Sequence, residues 1–270
     1  MTISPSDLRD MYLDLMQDVL TNEIYKDPPL KMSISSKLKK AVGLSARHGQ
    51  GQTFDEERRE KGLDWPSVAH TMIGKLRMEN LRMVCSDVIE NNVAGDFVET
   101  GVWRGGACIY MRSILKAYGD KQRTVWVADS FAGLPEPDGA TYDKDKGDKH
   151  HTVEVLAVSR AQVEDNFRVY GLLDGQVQFL QGWFKDTLPK APIENVAVLR
   201  LDGDMYESTM DGLTSLYHKV SPGGYIIVDD YHAVAACKSA VHDFIAEHAA
   251  TETVDIKEID GTGVYWQRQL

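Results

Sequence analysis

Apolar positions in the first twenty residues recur at three- and four-residue spacing: Leu8, Met11, Tyr12, Leu15, Met16, Val19 and Leu20. That spacing lines one face of an α-helix. Ser4-Pro5-Ser6-Asp7 supplies a cap, a proline suited to the first turn and an early acid. The periodicity is lost from Lys26 to Glu60, where Lys37, Lys39 and Lys40 cluster and Gly49, Gly51 and Gln52 loosen the chain. This stretch reads as a lid or tether with patchy helix, against the plainer reading of a solvated excursion. A long helix is then expected from Trp65-Pro66 to about Asn91, with Val68, Met72, Leu76, Leu81, Val84 and Val88 on its apolar face.

Beyond Asn91 the pattern changes. Short apolar runs ending in an acid or glycine alternate with helical stretches: Asp96–Glu99, Thr124–Asp129, Val177–Leu180, Val196–Asp202 and Tyr225–Asp230. Runs of this kind separated by helices indicate an α/β fold built on a mostly parallel sheet. Thr253–Ile259 and Gly263–Gln269, around Asp260-Gly261, read as a C-terminal antiparallel hairpin. Glu136 to Thr152 breaks the alternation with Asp138, Asp143, Lys144, Asp145, Lys146, Asp148, Lys149, His150 and His151. Such a segment is usually a solvated loop; its position where the strands end suggests a cover for substrate.

Composition narrows the class. The chain has 270 residues, 43% hydrophobic and 26% charged, which describes an ordinary globular chain. Its net charge of −11 disfavours phosphate backbones and hence nucleic acid. No apolar run approaches the roughly 18–20 residues that cross a bilayer, and the N-terminus lacks a signal-peptide stretch. Cys85, Cys108 and Cys237 stand in neither disulfide nor metal spacing. A cytoplasmic protein with no membrane partner is expected.

Candidate chemistry sits at the strand ends, since ligands of open α/β sheets bind there. Glu99-Thr100-Gly101-Val102-Trp103-Arg104-Gly105-Gly106 follows the first strand. Gly101 permits a tight turn, and Gly105-Gly106 permits close approach of the next helix. Trp103 stands where a dinucleotide fingerprint needs its second glycine, which argues against a nicotinamide dehydrogenase. The second strand ends at Asp129-Ser130, and an acid there can accept both ribose hydroxyls. A glycine turn and a ribose acid without a phosphate cradle point to S-adenosylmethionine.

Asp202 and Asp204 end the fourth strand, and Asp229 and Asp230 the fifth. Four carboxylates on one rim repel unless a hard divalent cation such as Mg²⁺ offsets them; helix capping is the plainer alternative for either pair. A metal and a proton acceptor together suit methyl transfer to a weakly acidic hydroxyl. Asp204 is the candidate base and His232 a second. Thr71-Met72 at a helix start could hold the methionine carboxylate. Gly182-Trp183 could pack on adenine, against the plainer reading of a buried tryptophan in a turn.

The run Gly95 to Cys108, with Ala69 to Gly74, Val125 to Gly133, Tyr170 to Pro189 and the acidic strand ends, resembles the macrocin O-methyltransferase family. The resemblance covers Trp65 to the C-terminus and is more diffuse over Met1 to Asp64. It implies a Rossmann-like class I methyltransferase sheet over 65–270, with an N-terminal helical lid region over 1–64. It also implies S-adenosylmethionine as donor, Mg²⁺ dependence, a homodimer, and acceptors that are sugar hydroxyls on natural products such as macrolides and aminocoumarins. Carried over residue by residue, Asp202, Asp229 and Asp230 match the metal ligands and Asp204 the base. Thr71, Met72, Glu99, Thr100, Gly101, Val102, Trp103, Asp129, Ser130, Phe131, Gly133, Ser159, Gly182 and Trp183 match donor contacts. The chain departs from the family at Lys31 to Gln52 and Tyr142 to His151, where the acceptor should be covered. Competing readings are a catechol-type enzyme, one acting on a carrier-bound alcohol, and a non-catalytic donor-binding module.

Overall fold

The computed structural model describes residues 3–30 and 53–269. Helix α1 (Pro5–Leu20) opens on a capping box between Ser4 and Asp7 and buries Leu13, Met16 and Leu20. A short helix α2 (Glu56–Glu60) precedes α3 (Gly74–Glu90). Strand β1 (Asp96–Thr100), α4 (Gly106–Tyr118), β2 (Val125–Asp129), α5 (Arg160–Val169) and β3 (Val177–Gln181) form the first half of the sheet unit. The second half runs α6 (Phe184–Thr187), β4 (Val196–Leu201), α7 (Tyr206–Leu216), β5 (Val220–Val228) and α8 (Ala235–His248). The hairpin β6 (Lys257–Glu258) and β7 (Val264–Gln267) closes it.

The strand order is β3-β2-β1-β4-β5-β7-β6. The first five strands are parallel, and β7 runs antiparallel between β5 and β6. This is the mostly parallel sheet with a terminal hairpin that the sequence pattern predicts. The order reverses between β1 and β4, which leaves a crevice beyond their carboxyl ends.

Pleating sends successive side chains to opposite faces. Phe97, Val127 and Ile227 join Leu13, Leu20, Leu81, Val84 and Ile109 under α1, α3 and α4. Val98, Leu199, Leu201 and Ile226 join Leu213, Val241, Phe244 and Trp266 under α7 and α8. Helix α1 thus packs into the same core as α3 and α4. The lid reading of the polar stretch falls largely on residues 31–52, outside the described residues.

One helix starts later than its pattern predicts. Val68 and Met72 precede α3, which begins at Gly74, so Thr71-Met72 is not a helix N-terminus. Asp27 accepts hydrogen bonds from the Val68 amide at 2.6 Å and the Ser67 hydroxyl at 3.1 Å. Arg104 donates to the Ala69 carbonyl at 2.7 Å and the Ser67 carbonyl at 3.2 Å. The two carbonyls held by Arg104 would otherwise accept from amides of a first helical turn, so the segment stays irregular. Asp27 itself is held by Arg59, a fully buried guanidinium that also pairs with Asp64 at 2.9 Å. The hairpin strands are shorter than the sequence pattern suggests, because only four residues of β7 pair with β5.

Candidate active site

Backbone hydrogen bonds stitch the strand ends into a row. The amide of Gly182 donates to Asp129, Gly101 to Ala128, Asp202 to Thr100 and Asp229 to Leu201, each at 2.9 Å. Gly101 makes the tightest of these turns. Its φ is +82°, and a Cβ there would lie 1.7 Å from the Asp202 carbonyl oxygen. The first glycine of the turn therefore lets β1 and β4 end side by side. Gly106 serves a different approach from the one expected of it. A Cβ on it would lie 2.4 Å from the His70 carbonyl oxygen, so it admits the irregular segment before α3. Trp103, Phe131 and Asp204, at the ends of β1, β2 and β4, all have left-handed backbones with φ of 47°, 56° and 57°. Strain of this kind in non-glycine residues concentrates at functional sites.

A pocket opens over this rim. Its wall includes Thr71, Met72, Glu99, Gly101, Val102, Trp103, Asp129, Ser130, Gly133, Gly182 and Trp183, together with Asp202, Asp204, Asp229 and Asp230. The structure thus brings most of the sequence candidates together. Four lie off the wall. Thr100 is buried in the sheet and Phe131 packs against Phe179. Ser159 caps α5 by accepting from the Gln162 amide. His232 lies 3.0 Å from Glu258 on the hairpin, with its ring edge-on to Tyr231.

The Asp129 carboxylate is already engaged. It accepts from the Val102 amide at 2.8 Å and the Phe131 amide at 2.6 Å, so it also ties the two turns together. Burial raises its pKa against those two hydrogen bonds. Spare lone pairs remain on both oxygens for a hydroxyl. Trp103 donates its indole N–H to the Val155 carbonyl at 2.9 Å, and Arg104 stacks over its ring.

The acidic strand ends do not cap helices. The N-cap of α7 is Met205 and that of α8 is Val234, neither with a side-chain bond. Oxygens of Asp202, Asp229 and Asp230 instead lie within 4.8 Å of one another. Two buried arginines sit behind them. Arg200 pairs with Glu99 on β1, with Asp202 at 2.8 Å and with Asp229, while Arg77 on α3 pairs with Asp229 and with Asp260 at 2.8 Å. Strand register explains the arrangement. Glu99 is the register partner of Arg200, and Asp202, two residues on, shares its face. An arginine inside the apolar strand Val196–Leu201 was the signal for this pairing, since a buried guanidinium requires partners.

The carboxylates of Glu99, Asp202, Asp229, Asp230 and Asp260 still outnumber the two guanidiniums. Burial pushes the Asp202 carboxyl up to about 8, with Asp229 adding to the push and Arg200 opposing it. Burial likewise raises Asp230, reinforced by Asp204, Asp202 and Asp229. A hard divalent cation fits this donor set, because it relieves that repulsion with oxygen ligands alone.

His150, from the charged segment after β2, also lines the wall. It is buried, with Nδ1 2.6 Å from Asp148 and Nε2 3.8 Å from Asp204. Burial raises the Asp204 pKa and His150 opposes that rise. The charged segment is therefore docked through Asp145 and His150 while Asp138, Asp143, Lys144, Lys146 and Lys149 stay exposed to solvent, and only the fold reveals that His150 faces Asp204. Lys185, Glu207 and Asp211 extend the wall beyond the acidic rim, with Lys185 3.2 Å from Glu207. Nothing local in the sequence marks these three.

A family model described as Macrocin-O-methyltransferase (TylF) matches residues 9–268. The chain is 53% identical over 260 residues to demethyldecarbamoylnovobiocin O-methyltransferase of Streptomyces niveus, covering 96% of this chain and 93% of that one. It is 47% identical over 269 residues to mycinamicin III 3''-O-methyltransferase of Micromonospora griseorubida, covering 98% and 99%. The solved structure of the O-methyltransferase NovP superposes with a TM-score of 0.87 at 51% identity, over 97% of this chain and all of that one.

Proposed function

The chain belongs to the macrocin-O-methyltransferase family, and from that premise we propose that it moves the methyl group of S-adenosylmethionine to a hydroxyl on the sugar of a glycosylated natural product. The observation that carries this reading is the juxtaposition of the Gly101 turn with the cluster of Asp202, Asp229 and Asp230 on one pocket wall. The relatives named above are by name O-methyltransferases of demethyldecarbamoylnovobiocin and mycinamicin III, and a third, 50% identical, is by name a 4'-O-methyltransferase of a rhamnosyl-tetracenomycin, which supports the acceptor class.

Asp202, Asp229 and Asp230 would hold Mg²⁺, whose charge lowers the cost of deprotonating an acceptor hydroxyl. Asp204 takes the hydroxyl proton on a carboxylate oxygen. The turn from Gly101 to Trp103, with Asp129 and Ser130, would hold the donor, which supplies the methyl group for displacement by the acceptor oxygen. Thr71, Met72, Gly182 and Trp183 close the donor side of the wall. Asp204 is preferred to His232 as base because it lies on the wall and His232 does not.

The same reading includes a homodimer, supported by the exposed stripe of Leu8, Met11 and Leu15 along α1. It includes a cytoplasmic enzyme, in keeping with three free buried cysteines. No described helix is long and apolar enough to cross a membrane. Calorimetric titration with S-adenosylhomocysteine, with Mg²⁺ and with excess chelator, tests the donor site. Micromolar binding that survives chelation, followed by methylation of a glycosylated acceptor only with Mg²⁺, is the expected result. Absence of binding in both conditions overturns the reading.

A further inference from the structure

Helix α7 begins two residues after Asp204, and its first amides point toward the charged segment that follows β2. Neither Asp202 nor Asp204 captures them. Asp145 does so from sixty residues away, accepting from the Tyr206 amide at 2.7 Å and the Glu207 amide at 2.9 Å. Asp145 is 2% exposed, although its immediate neighbours in the sequence are charged. Its own stretch is held at further points: Lys144 pairs with Asp243 on α8, Tyr206 donates to the same Asp243 at 3.0 Å, and Tyr142 packs beside the Tyr206 ring.

The turn that follows leads to the pocket. The Asp148 amide donates to the Asp145 carbonyl at 3.0 Å. Asp148 accepts from the His150 amide at 2.8 Å and lies 2.6 Å from its Nδ1. The imidazole is thereby oriented with Nε2 3.8 Å from Asp204. A continuous set of contacts runs from the first turn of α7 through Asp145 and Asp148 to His150, and returns to Asp204, two residues ahead of that helix.

We propose that Asp145 is a positioning residue for methyl transfer, whose carboxylate locks the segment after β2 onto α7 so that His150 is held against Asp204. The proposal rests on the methyltransferase reading above for its catalytic consequence, but not for the anchoring itself. Displacements of about 1 Å at a reacting constellation can cost on the order of a hundredfold in rate. A cap that only stabilises α7 would leave kcat at the level of the folded protein.

The test compares wild type with D145A, D145N, H150A and the D145A/H150A double variant. Amide hydrogen exchange across residues 142–152 is expected to accelerate at least about tenfold in D145A, while β4 and α3 keep their protection. D145N, which keeps one acceptor oxygen, is expected to fall between. With an acceptor substrate in hand, kcat should drop at least about tenfold in D145A with the S-adenosylhomocysteine Kd within about twofold. In the H150A background the same substitution should change kcat by less than about twofold, because its effect passes through His150. Unchanged exchange at 142–152 in D145A overturns the proposal whether or not an acceptor is found. Equal loss of kcat in both backgrounds also overturns it. Failure of wild type to bind donor would instead refute the methyltransferase reading and leave the exchange result standing.

Discussion

Replacing Gly101 with alanine perturbs two parts of the site at once. The backbone there has φ +82°, and a left-handed conformation costs an L-residue about 1–2 kcal/mol. The added methyl would also stand 1.7 Å from the Asp202 carbonyl oxygen, about half of an ordinary van der Waals separation. That oxygen belongs to backbone, so no side-chain rotation relieves the overlap. The end of β4 must move away from β1, which loosens the bond from the Asp202 amide to the Thr100 carbonyl, worth about 1 kcal/mol. With about 1–2 kcal/mol for the forced backbone shift, these effects come to about 3–5 kcal/mol, a large share of the roughly 5–15 kcal/mol that stabilises a domain.

Gly119 provides the control. It ends α4 at φ +71° with nothing within 4 Å of the place an added methyl would take, so Gly119→Ala should cost only the conformational part, about 1–2 kcal/mol. Urea unfolding of both variants measures the difference, and S-adenosylhomocysteine titration with and without Mg²⁺ reads the site. Gly101→Ala should be the less stable by about 2 kcal/mol or more and should bind donor more weakly. Equal stabilities for the two variants, with donor affinity unchanged in Gly101→Ala, would refute the claim that the turn requires glycine for the approach of β4.

Other substitutions separate the roles within the pocket. Asp202→Ala should abolish turnover while S-adenosylhomocysteine affinity stays within a few-fold; parallel loss of donor binding would make Asp202 structural. Asp129→Ala should weaken donor binding by about 1–3 kcal/mol, the scale of hydrogen bonds to a charged group, and calorimetry showing no change would remove it from the donor site. Burial beside Glu207 pushes the Asp211 carboxyl from its ordinary 3.8 to about 6, against Lys185. A carboxyl raised in the folded state carries no penalty well below pH 3.8, where both states hold the proton; the penalty grows between about pH 4 and 6, where only the unfolded state ionises, and levels off above 6. Asp211→Asn should therefore stabilise the protein by about 1–2 kcal/mol at pH 7.5, after allowance for partial exposure, and by no more than a few tenths of a kcal/mol at pH 4. A gain of equal size at both pH values in denaturant titrations would sink that account.

The periodicity of apolar residues is enough to determine the α/β class, the parallel strands, the closing hairpin and the placing of acids at strand ends. These are local properties: strand and helix repeats are written into consecutive residues, and Gly101, Asp202 and Asp229 are each read from the run that precedes them. Local reasoning fails where a residue's partner lies far away in the chain. Thr71-Met72 has the local pattern of a helix start, but Arg104 takes the Ser67 and Ala69 carbonyls that a first turn needs. The acidic strand ends are equally suited to capping α7 and α8, and the cap of α7 comes instead from Asp145. His232 and His150 are indistinguishable as isolated histidines; the fold turns one toward Glu258 and the other toward Asp204. The sequence alone determined which carboxylates reach the rim, because the pleat and the strand ends are set by neighbouring residues. Only the tertiary structure decided how those charges are shared among Arg200, Arg77, His150 and the open wall, because a buried charge is satisfied by whatever packing brings within reach.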